Sequence, residues 1–313
     1  MFKKCVVLVL LLQSVHVLAA DASARQWLDR MSHSFRELNY RGSFTYEQGD
    51  AIEALQITHA VFAGKEFERL KHMDGLPREI IRRGHSLKCL HPGHRLVRGI
   101  NTATDLHADL SAAVELEQFY SLSLQGDSRV AGRQAVELAI IPRDTHRYGH
   151  RLSLDKETGL VLRAVLYGSQ NKVLERFQFV DIDVEPQLSP ADFAGDTTYQ
   201  ARHDETPAVA AANNDDAWSA DWLPGGFNRI SLAPEAGDMQ SFTDGLAVFS
   251  IFLEALNAAP GTEVSAGGLA RRGATVAYSR SLLLNGAPYR VTIVGEIPQR
   301  TAERVAASVN AID

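Results

Sequence analysis

Segments in which apolar and polar residues alternate fill most of the chain from Tyr40 to Val184, and they constrain the fold more than any other feature. The first reads Tyr40-x-Gly42-x-Phe44-x-Tyr46. Further strands are predicted over residues 52–62, 66–72, 78–83, 87–91, 95–98, 121–130, 133–142, 150–155, 160–167 and 172–184. Short strands punctuated by Gly, Pro and Asn predict an antiparallel meander. A large sheet without helices on both faces must curl or close, so we predict a mainly β (α+β) fold, a large curled antiparallel half-barrel sheet with capping helices.

The rest of the chain predicts a second, smaller unit. Strands are expected over residues 227–232, 240–242, 246–253, 273–278 and 289–295, and a closing helix over 298–312. Two more helices are predicted at 21–38 and 109–120 from apolar residues at helical spacing. The segment from Asp192 to Asp221, both included, holds seven acids and one Arg. We therefore predict a β domain over 21–195, an acidic flexible linker over 196–217 and a small α+β domain over 218–313.

Residues 1–20 have the pattern of a secretory signal peptide. Lys3 and Lys4 precede a short apolar run, and small residues follow at Ala19 and Ala20. We expect a soluble, exported protein, periplasmic after removal of this peptide. The mature chain from Asp21 keeps 30 of the 32 Lys and Arg against 38 Asp and Glu, a net charge of −8 that argues against general nucleic-acid binding. Cys89 is then its one cysteine, so no intramolecular disulfide is possible, and we expect a buried thiol.

No catalytic constellation is evident in the sequence. The chain contains no G-x-S-x-G, H-E-x-x-H or C-x-x-C. His91-x-x-His94 lies in a Pro-Gly turn without a nearby third ligand, and Asp181-x-Asp183-x-Glu185 lacks the turn Gly of a calcium loop. We predict no metal, no cofactor and no enzymatic activity.

One basic segment contrasts with the acidic balance of the chain. From Gly75 to Gly99 six Lys and Arg face a single acid, Glu79. The candidate ligand of these cations is a phosphate-bearing lipid headgroup, for which we select Arg78, Arg82, Arg83 and Lys88. The alternative is a sheet edge protected by positive charge against aggregation.

Aromatic residues cluster where the second domain is predicted to begin. Trp218, Trp222 and Phe227 lie within ten residues of one another. They are either core residues of the small domain or residues of an interdomain or partner contact.

Several phrases together resemble the RseB/MucB family of periplasmic regulators. They include Asn39-Tyr40-Arg41-Gly42-Ser43-Phe44, Leu223-Pro224-x-Gly226-Phe227, Asp244-Gly245-Leu246-Ala247 and Val291-Thr292-x-Val294-Gly295-Glu296, in order over nearly the whole mature chain. The resemblance implies a lipoprotein-carrier-like larger domain and a smaller domain that completes a hydrophobic cleft.

The resemblance also implies a function. The protein would bind the periplasmic part of a transmembrane anti-sigma factor, protect it from regulated proteolysis and be released by acyl-bearing material such as lipopolysaccharide or mislocalised lipoprotein. The expected cavity residues are Phe44, Tyr46, Phe62, Leu160, Leu162 and Tyr167, with strand parity assumed. A periplasmic lipid or lipoprotein carrier is the alternative, an envelope hydrolase is a third hypothesis, and homo-oligomerisation stays open.

Overall fold

A computed structural model describes residues 24–83, 116–194, 218–230, 239–256 and 267–312. Several predictions lie outside the described residues: the signal peptide, the strands over 87–91 and 95–98, most of the helix over 109–120, the linker over 196–217, Cys89, Lys88 and the pair His91 and His94.

The larger unit is one antiparallel sheet of nine strands. They are β1 (Tyr40–Gln48), β2 (Ala51–Phe62), β3 (Lys65–His72), β4 (Glu79–Arg83), β5 (Tyr120–Val130), β6 (Arg133–Pro142), β7 (Gly149–Asp155), β8 (Val161–Tyr167) and β9 (Val173–Val184). Their order in the sheet is β4-β3-β2-β1-β9-β8-β7-β6-β5. Within the described residues the edge strands β4 and β5 do not pair, so the sheet stays open. The predicted large, open antiparallel sheet is confirmed.

An amphipathic helix, α1 (residues 24–37), covers one face of this sheet. Leu28, Met31 and Phe35 are buried on the side of the helix that meets the sheet. They pack in one core with Phe44 of β1 and Phe177 of β9, whose ring centroids lie 4.9 Å apart. Complete burial of such a side chain stabilises the fold by about 1.5–3 kcal/mol, so this interleaved apolar layer holds the helix on the sheet.

The opposite face of the sheet carries a smaller aromatic cluster. Phe62 contacts Phe193 with ring centroids 5.9 Å apart, and Phe193 ends the 3-10 turn Pro190–Phe193. The backbone N–H of Ser189 donates to Asp192 Oδ2 at 2.8 Å, and Arg41 Nη2 lies 2.7 Å from Asp192 Oδ1. The pKa of the Asp192 carboxyl is lowered, first by the hydrogen bonds from Ser189 and then by Arg41.

The smaller unit combines a six-stranded antiparallel sheet, a two-stranded sheet and one helix. Its elements are β10 (Trp218–Ala220), β11 (Asn228–Ile230), β12 (Met239–Thr243), β13 (Val248–Ala255), β14 (Leu269–Arg272), β15 (Thr275–Leu284), β16 (Ala287–Gly295), α2 (Gln299–Ala307) and β17 (Val309–Ala311). The sheets have the orders β11-β12-β13-β16-β15-β14 and β10-β17. Ala302, Val305 and Ala306 of α2 are buried in the core of this unit, which confirms the predicted α+β character.

The closing helix is shorter than predicted. It ends at Ala307, and Val309–Ala311 forms β17, which pairs with β10 so that Trp218 lies opposite Ala311. The backbone N–H of Ser308 bonds to Val305 O, and the Asp221 N–H donates to Ser308 O at 2.9 Å. Pairing with β10 satisfies backbone groups of both segments and still buries Val309 in the core, so the helix gives way to a strand. The sequence did not predict β10 or β14.

In the part of the chain that the structure describes, no helix has the length and apolarity to cross a bilayer.

Candidate functional site

The turn between β12 and β13 inserts into the larger unit. Leu246 at the tip of this turn is buried in the core of the nine-stranded sheet. Asp244 shapes the turn, because its Oδ1 accepts hydrogen bonds from the backbone N–H groups of Leu246, at 3.0 Å, and Ala247, at 2.8 Å. A surface turn of one unit thus becomes a core element of the other.

A buried charged cluster surrounds this turn, and we name Tyr120, Asp144, Arg147 and Asp244 the interdomain clasp. Asp244 Oδ2 lies 3.0 Å from Arg147 Nε and accepts the Tyr120 hydroxyl at 2.9 Å. Arg147 Nη1 lies 3.1 Å from Asp144 Oδ2. The side chains of Arg147 and Asp244 are both 0% exposed. Burial, assisted by the Asp244 charge, raises the pKa of Tyr120 well above its ordinary value, so its hydroxyl stays a donor.

Aromatic rings enclose the guanidinium of the clasp. Arg147 Cζ lies 4.7 Å from the ring centroid of Phe119 and 5.2 Å from that of Phe227. The guanidinium also donates to the carbonyl of Gly225. Gly226 has a φ of +83°, and a Cβ there would lie 2.3 Å from Phe119 Cε2. The chain must therefore carry glycine where it passes the rings that hold Arg147.

Two further hydrogen bonds join the units on the other side of the contact. Glu175 of β9 accepts the Tyr46 hydroxyl at 2.6 Å and the backbone N–H of Ala274 at 3.0 Å. The Tyr148 hydroxyl donates to the carbonyl of Ile297 at 3.0 Å, and burial raises the pKa of this phenol. The units are joined by buried polar contacts at two separated places, which defines their relative position.

A cavity of about 850 Å³ opens between these contacts, and we name it the interdomain cleft. The larger unit lines it with residues of 142–149 and 167–174, and the smaller unit with Arg271 and residues of 298–304. Near its wall, His146 stacks edge-on to Trp222 with ring centroids 5.1 Å apart. Arg304 also lies over the Trp222 ring, with its Cζ 3.8 Å from the ring centroid.

The structure separates the six residues predicted to line a lipid cavity. Phe44, Leu160 and Leu162 are buried together in the core beneath α1, and Tyr46 packs partly buried against it. Phe62 lies on the opposite face of the sheet in the cluster with Phe193. Tyr167 lines the interdomain cleft, and partial burial raises its pKa. Three of the six thus share one core, and two lie elsewhere.

The predicted headgroup residues fall on or beside a sheet edge. Arg78 is exposed immediately before β4, and Arg82 and Arg83 belong to β4, which is an edge strand among the described residues and has Arg82 opposite Glu68 of β3. This position also fits the alternative reading of a charged, protected edge.

The three aromatic residues have different surroundings. Trp218 is buried in the core of the smaller unit. Phe227 belongs to the same core and also contacts Arg147 of the larger unit, and Trp222 contacts His146 of the larger unit. Two of the three therefore touch the contact between the units.

Sequence reasoning missed the clasp. Asp144 and Arg147 are separated from Asp244 by about a hundred residues. The one available signal was the phrase Asp244-Gly245-Leu246-Ala247, in which an acid precedes a glycine turn and an apolar residue at its tip. Within the described ranges, no three His, Cys, Asp or Glu side chains converge as a metal site would require.

Comparison with known proteins gives consistent results along the chain. Residues 23–197 match the MucB/RseB N-terminal domain family and residues 212–310 match the MucB/RseB C-terminal domain family. "Sigma factor AlgU regulatory protein MucB" of Pseudomonas aeruginosa is 35% identical over 299 residues, which cover 93% of this chain and 91% of that protein. "Sigma-E factor regulatory protein RseB" of Haemophilus influenzae is 28% identical, covering 96% of this chain and 95% of that protein.

Solved structures give the same picture. A crystal structure of MucB in complex with MucA(peri) superimposes with a TM-score of 0.72 at 34% identity, covering 93% of this chain and 99% of that one. A second structure, the Pseudomonas aeruginosa MucA/MucB complex, gives a TM-score of 0.72 at 32% identity, with 93% and 99% covered.

Proposed function

The chain belongs to the MucB/RseB family, and on that basis we propose that it is a periplasmic negative regulator of a sigma factor. It binds the periplasmic part of a transmembrane anti-sigma factor and protects that segment from regulated proteolysis. Acyl-bearing ligands from a stressed envelope release it. The protein acts by binding and not by catalysis.

The observation that carries this proposal is the match, over both units, to a protein solved together with a partner. The superposition on MucB in complex with MucA(peri) covers 99% of the solved chain. In this chain the clasp and the cleft fix the two units relative to each other. A partner that contacts both sheets would depend on this arrangement, because a short segment that orders on binding gains affinity from a preformed surface.

The test is a titration of the mature protein with the periplasmic segment of the anti-sigma factor from the same organism, followed by calorimetry. We expect saturable binding, and slower cleavage of the segment by its site protease when the complex has formed. A scrambled segment of the same composition is the matched control. Equal heats for both segments, or unchanged cleavage, would contradict the proposal and favour the lipid-carrier alternative.

We propose further that lipopolysaccharide or lipoprotein acyl chains weaken this complex. The physical basis is linkage, because a ligand that prefers the free protein lowers the affinity for the partner by the same factor. A coupling of about 1–3 kcal/mol changes the partner affinity roughly 5–150-fold. For the headgroup we keep Arg78, Arg82, Arg83 and Lys88, and for the chains Phe44, Tyr46, Phe62, Leu160, Leu162 and Tyr167.

Charge reversal tests the headgroup part. We expect R82E/R83E to lose binding to vesicles that contain anionic phospholipid. The control R36E/K65E reverses two exposed charges elsewhere on the same unit. If both double variants bind vesicles like the parent protein, the basic edge strand is a protected edge only.

Export and domain boundaries complete the proposal. We propose cleavage after Ala20, a flexible acidic linker over 196–217 and a partner or interdomain role for Trp218, Trp222 and Phe227. Mass spectrometry of the protein from a periplasmic extract should give an N-terminus at Asp21. Limited proteolysis should cut first within 196–217. An N-terminal Met1, or first cuts inside a sheet, would contradict these assignments.

A further inference from the structure

The interdomain cleft has an unusual charge for this protein. Lys172 of the larger unit and Arg271, Arg300 and Arg304 of the smaller unit line it. None of these four cations forms an ion pair with a carboxylate among the described residues. Other arginines of the described fold do have acidic partners, for example Arg41 with Asp192 and Arg133 with Asp155. In a chain with a net charge of −6, four unpaired cations in one cavity create a local positive field.

Two acids, Asp144 and Glu303, line the cleft, and the charges of Glu175 and Glu296 also reach Tyr148 in its wall. Asp144 is held by Arg147 in the clasp, so this pair adds no net charge to the cavity. Glu303 accepts a hydrogen bond from Gln299 one turn earlier, at 2.7 Å. The lining as a whole has five Lys and Arg, including Arg147, against two acids, which gives a net charge of +3. Cations held close together without counter-charges repel one another, and a bound anion removes that repulsion.

The donors of the cleft suit a phosphate group. Guanidinium groups bind phosphate oxygens in a bidentate fork, and a lysine adds a point charge. Helix α2 begins at this wall, where Pro298, Gln299 and Arg300 line the cavity, so the positive end of its dipole faces the same space. The hydroxyls of Tyr167 and Ser169 stand among the lining residues as further donors. The fork, the point charge and the helix end act on the same volume.

The size of the cleft adds a second requirement. A volume of about 850 Å³ falls in the range of roughly 300–1,000 Å³ that holds a small organic ligand, well above the size of a single phosphate ion. Pro142, Leu174 and Pro298 supply apolar wall beside the cations. The ligand therefore has an organic body the size of a sugar attached to its phosphate.

We infer that the interdomain cleft is a binding site for a phosphate monoester, held by Lys172 from one unit and by Arg271, Arg300 and Arg304 from the other. The ligand is either a soluble sugar phosphate or the phosphorylated headgroup of a lipid, since both present the same group. Because the cations come from both units, occupancy stabilises the contact between the units. The site lies away from Arg78 and β4, and its occupancy does not require the protein partner, so it can be tested apart from the proposed function.

The test uses the mature full-length chain without a partner. Glucose 1-phosphate is titrated in low salt, with glucose as the uncharged probe, and vesicles of phosphatidic acid are compared with vesicles of phosphatidylcholine. We expect glucose 1-phosphate to bind and glucose not to bind. Tighter binding to phosphatidic acid vesicles than to the soluble ester identifies the lipid source, and weaker binding identifies the soluble one. Equal behaviour of glucose and glucose 1-phosphate, together with no preference for phosphatidic acid, overturns the inference.

Variants locate the site. K172Q/R300Q removes one exposed cation from each wall, and we expect the affinity to fall about tenfold or more, because two charge-assisted contacts are lost. The control R36Q/K65Q removes the same charge from exposed positions on the larger unit outside the cleft lining. R271Q is a second, single-residue variant, whose affinity we also expect to fall. Circular dichroism confirms that each variant is folded. Equal affinity of K172Q/R300Q and R36Q/K65Q overturns the assignment to this cleft.

Discussion

Replacement of Asp244 by Asn is expected to destabilise the contact between the two units strongly. The Asn side chain keeps the oxygen that accepts the turn N–H groups of Leu246 and Ala247, but it puts an NH₂ group where Oδ2 meets the Tyr120 hydroxyl and Arg147 Nε. The NH₂ group and Arg147 Nε, both of which can only donate, then face each other in a site that is closed to water. A buried donor left without an acceptor costs about 1–3 kcal/mol.

The charge adds to this cost. Arg147 is fully buried and would keep only Asp144, a side chain that is 32% exposed, as its carboxylate partner. Removal of one member of a buried ion pair typically costs about 3–5 kcal/mol, and we expect D244N to lower the free energy of unfolding within this range. The matched control is D127N, which breaks the exposed pair of Asp127 with Lys156 and should cost about 0.2–1 kcal/mol.

Urea unfolding at pH 7 measures the effect, monitored by circular dichroism and by tryptophan fluorescence. The parent protein should unfold with coincident transitions, whereas D244N should show the smaller unit unfolding first, because its contact with the larger sheet is lost. R147M/D244N removes both charges and keeps the oxygen that accepts the turn N–H groups, so part of the lost stability should return. We expect D244N to lose about 3–5 kcal/mol of unfolding free energy. If the unfolding free energies of D244N and D127N differ by less than about 1 kcal/mol, the clasp does not hold the units together.

Two other perturbations have defined outcomes. Burial lowers the pKa of both His59 and His150 from 6.5 to about 4, so the native state binds these protons less readily than the unfolded chain. The free energy of unfolding therefore has its full value above pH 6.5 and falls by up to about 3 kcal/mol per histidine as the pH decreases towards 4. Urea midpoints that do not change between pH 7.5 and pH 5 would contradict this prediction. G226A should lower the melting temperature more than G64A. Both glycines have positive φ, but a Cβ at Gly226 would clash with Phe119, whereas a Cβ at Gly64 would have no described atom within 4 Å apart from its chain neighbours. Equal melting temperatures for the two variants would show that the Phe119 ring moves aside at little cost.

The local structure of the larger unit could be predicted where apolar residues alternate along a strand, as in β1, or form a continuous apolar run, as in β6. Alternation from Tyr40 to Tyr46 located β1, and the predicted range 133–142 is that of β6. The face of the sheet on which a given side chain lies was harder to predict, because it depends on the register between strands and on bulges. Phe62 follows the alternation of β2 yet faces away from Phe44, and a bulge near Leu154 shifts the pairing of β7 with β8.

The site could not be predicted for a different reason. Arg147 looks like any surface arginine in sequence, and its burial depends on a turn a hundred residues later that delivers Asp244. The cations of the cleft are likewise spread from Lys172 to Arg304. Only the arrangement of the two sheets brings these charges together. Chemistry assembled between units therefore leaves little local signal, whereas strand chemistry repeats every two residues.

The strand order has a consequence for how the chain acquires its fold. Within the runs β1 to β4 and β5 to β9, each strand pairs with its neighbour in sequence. Both runs can therefore form from local hairpins, within roughly microseconds to milliseconds. The seam between them pairs Tyr40 with Val184 and Gln48 with Glu175, across well over a hundred residues. A chain emerging into its compartment N-terminus first holds β1 as an unpaired edge until β9 arrives, and loop closure at this seam is the slow step. During that interval the nascent protein is a strand acceptor for any passing chain, so its yield will be limited by how quickly residue 184 follows residue 40.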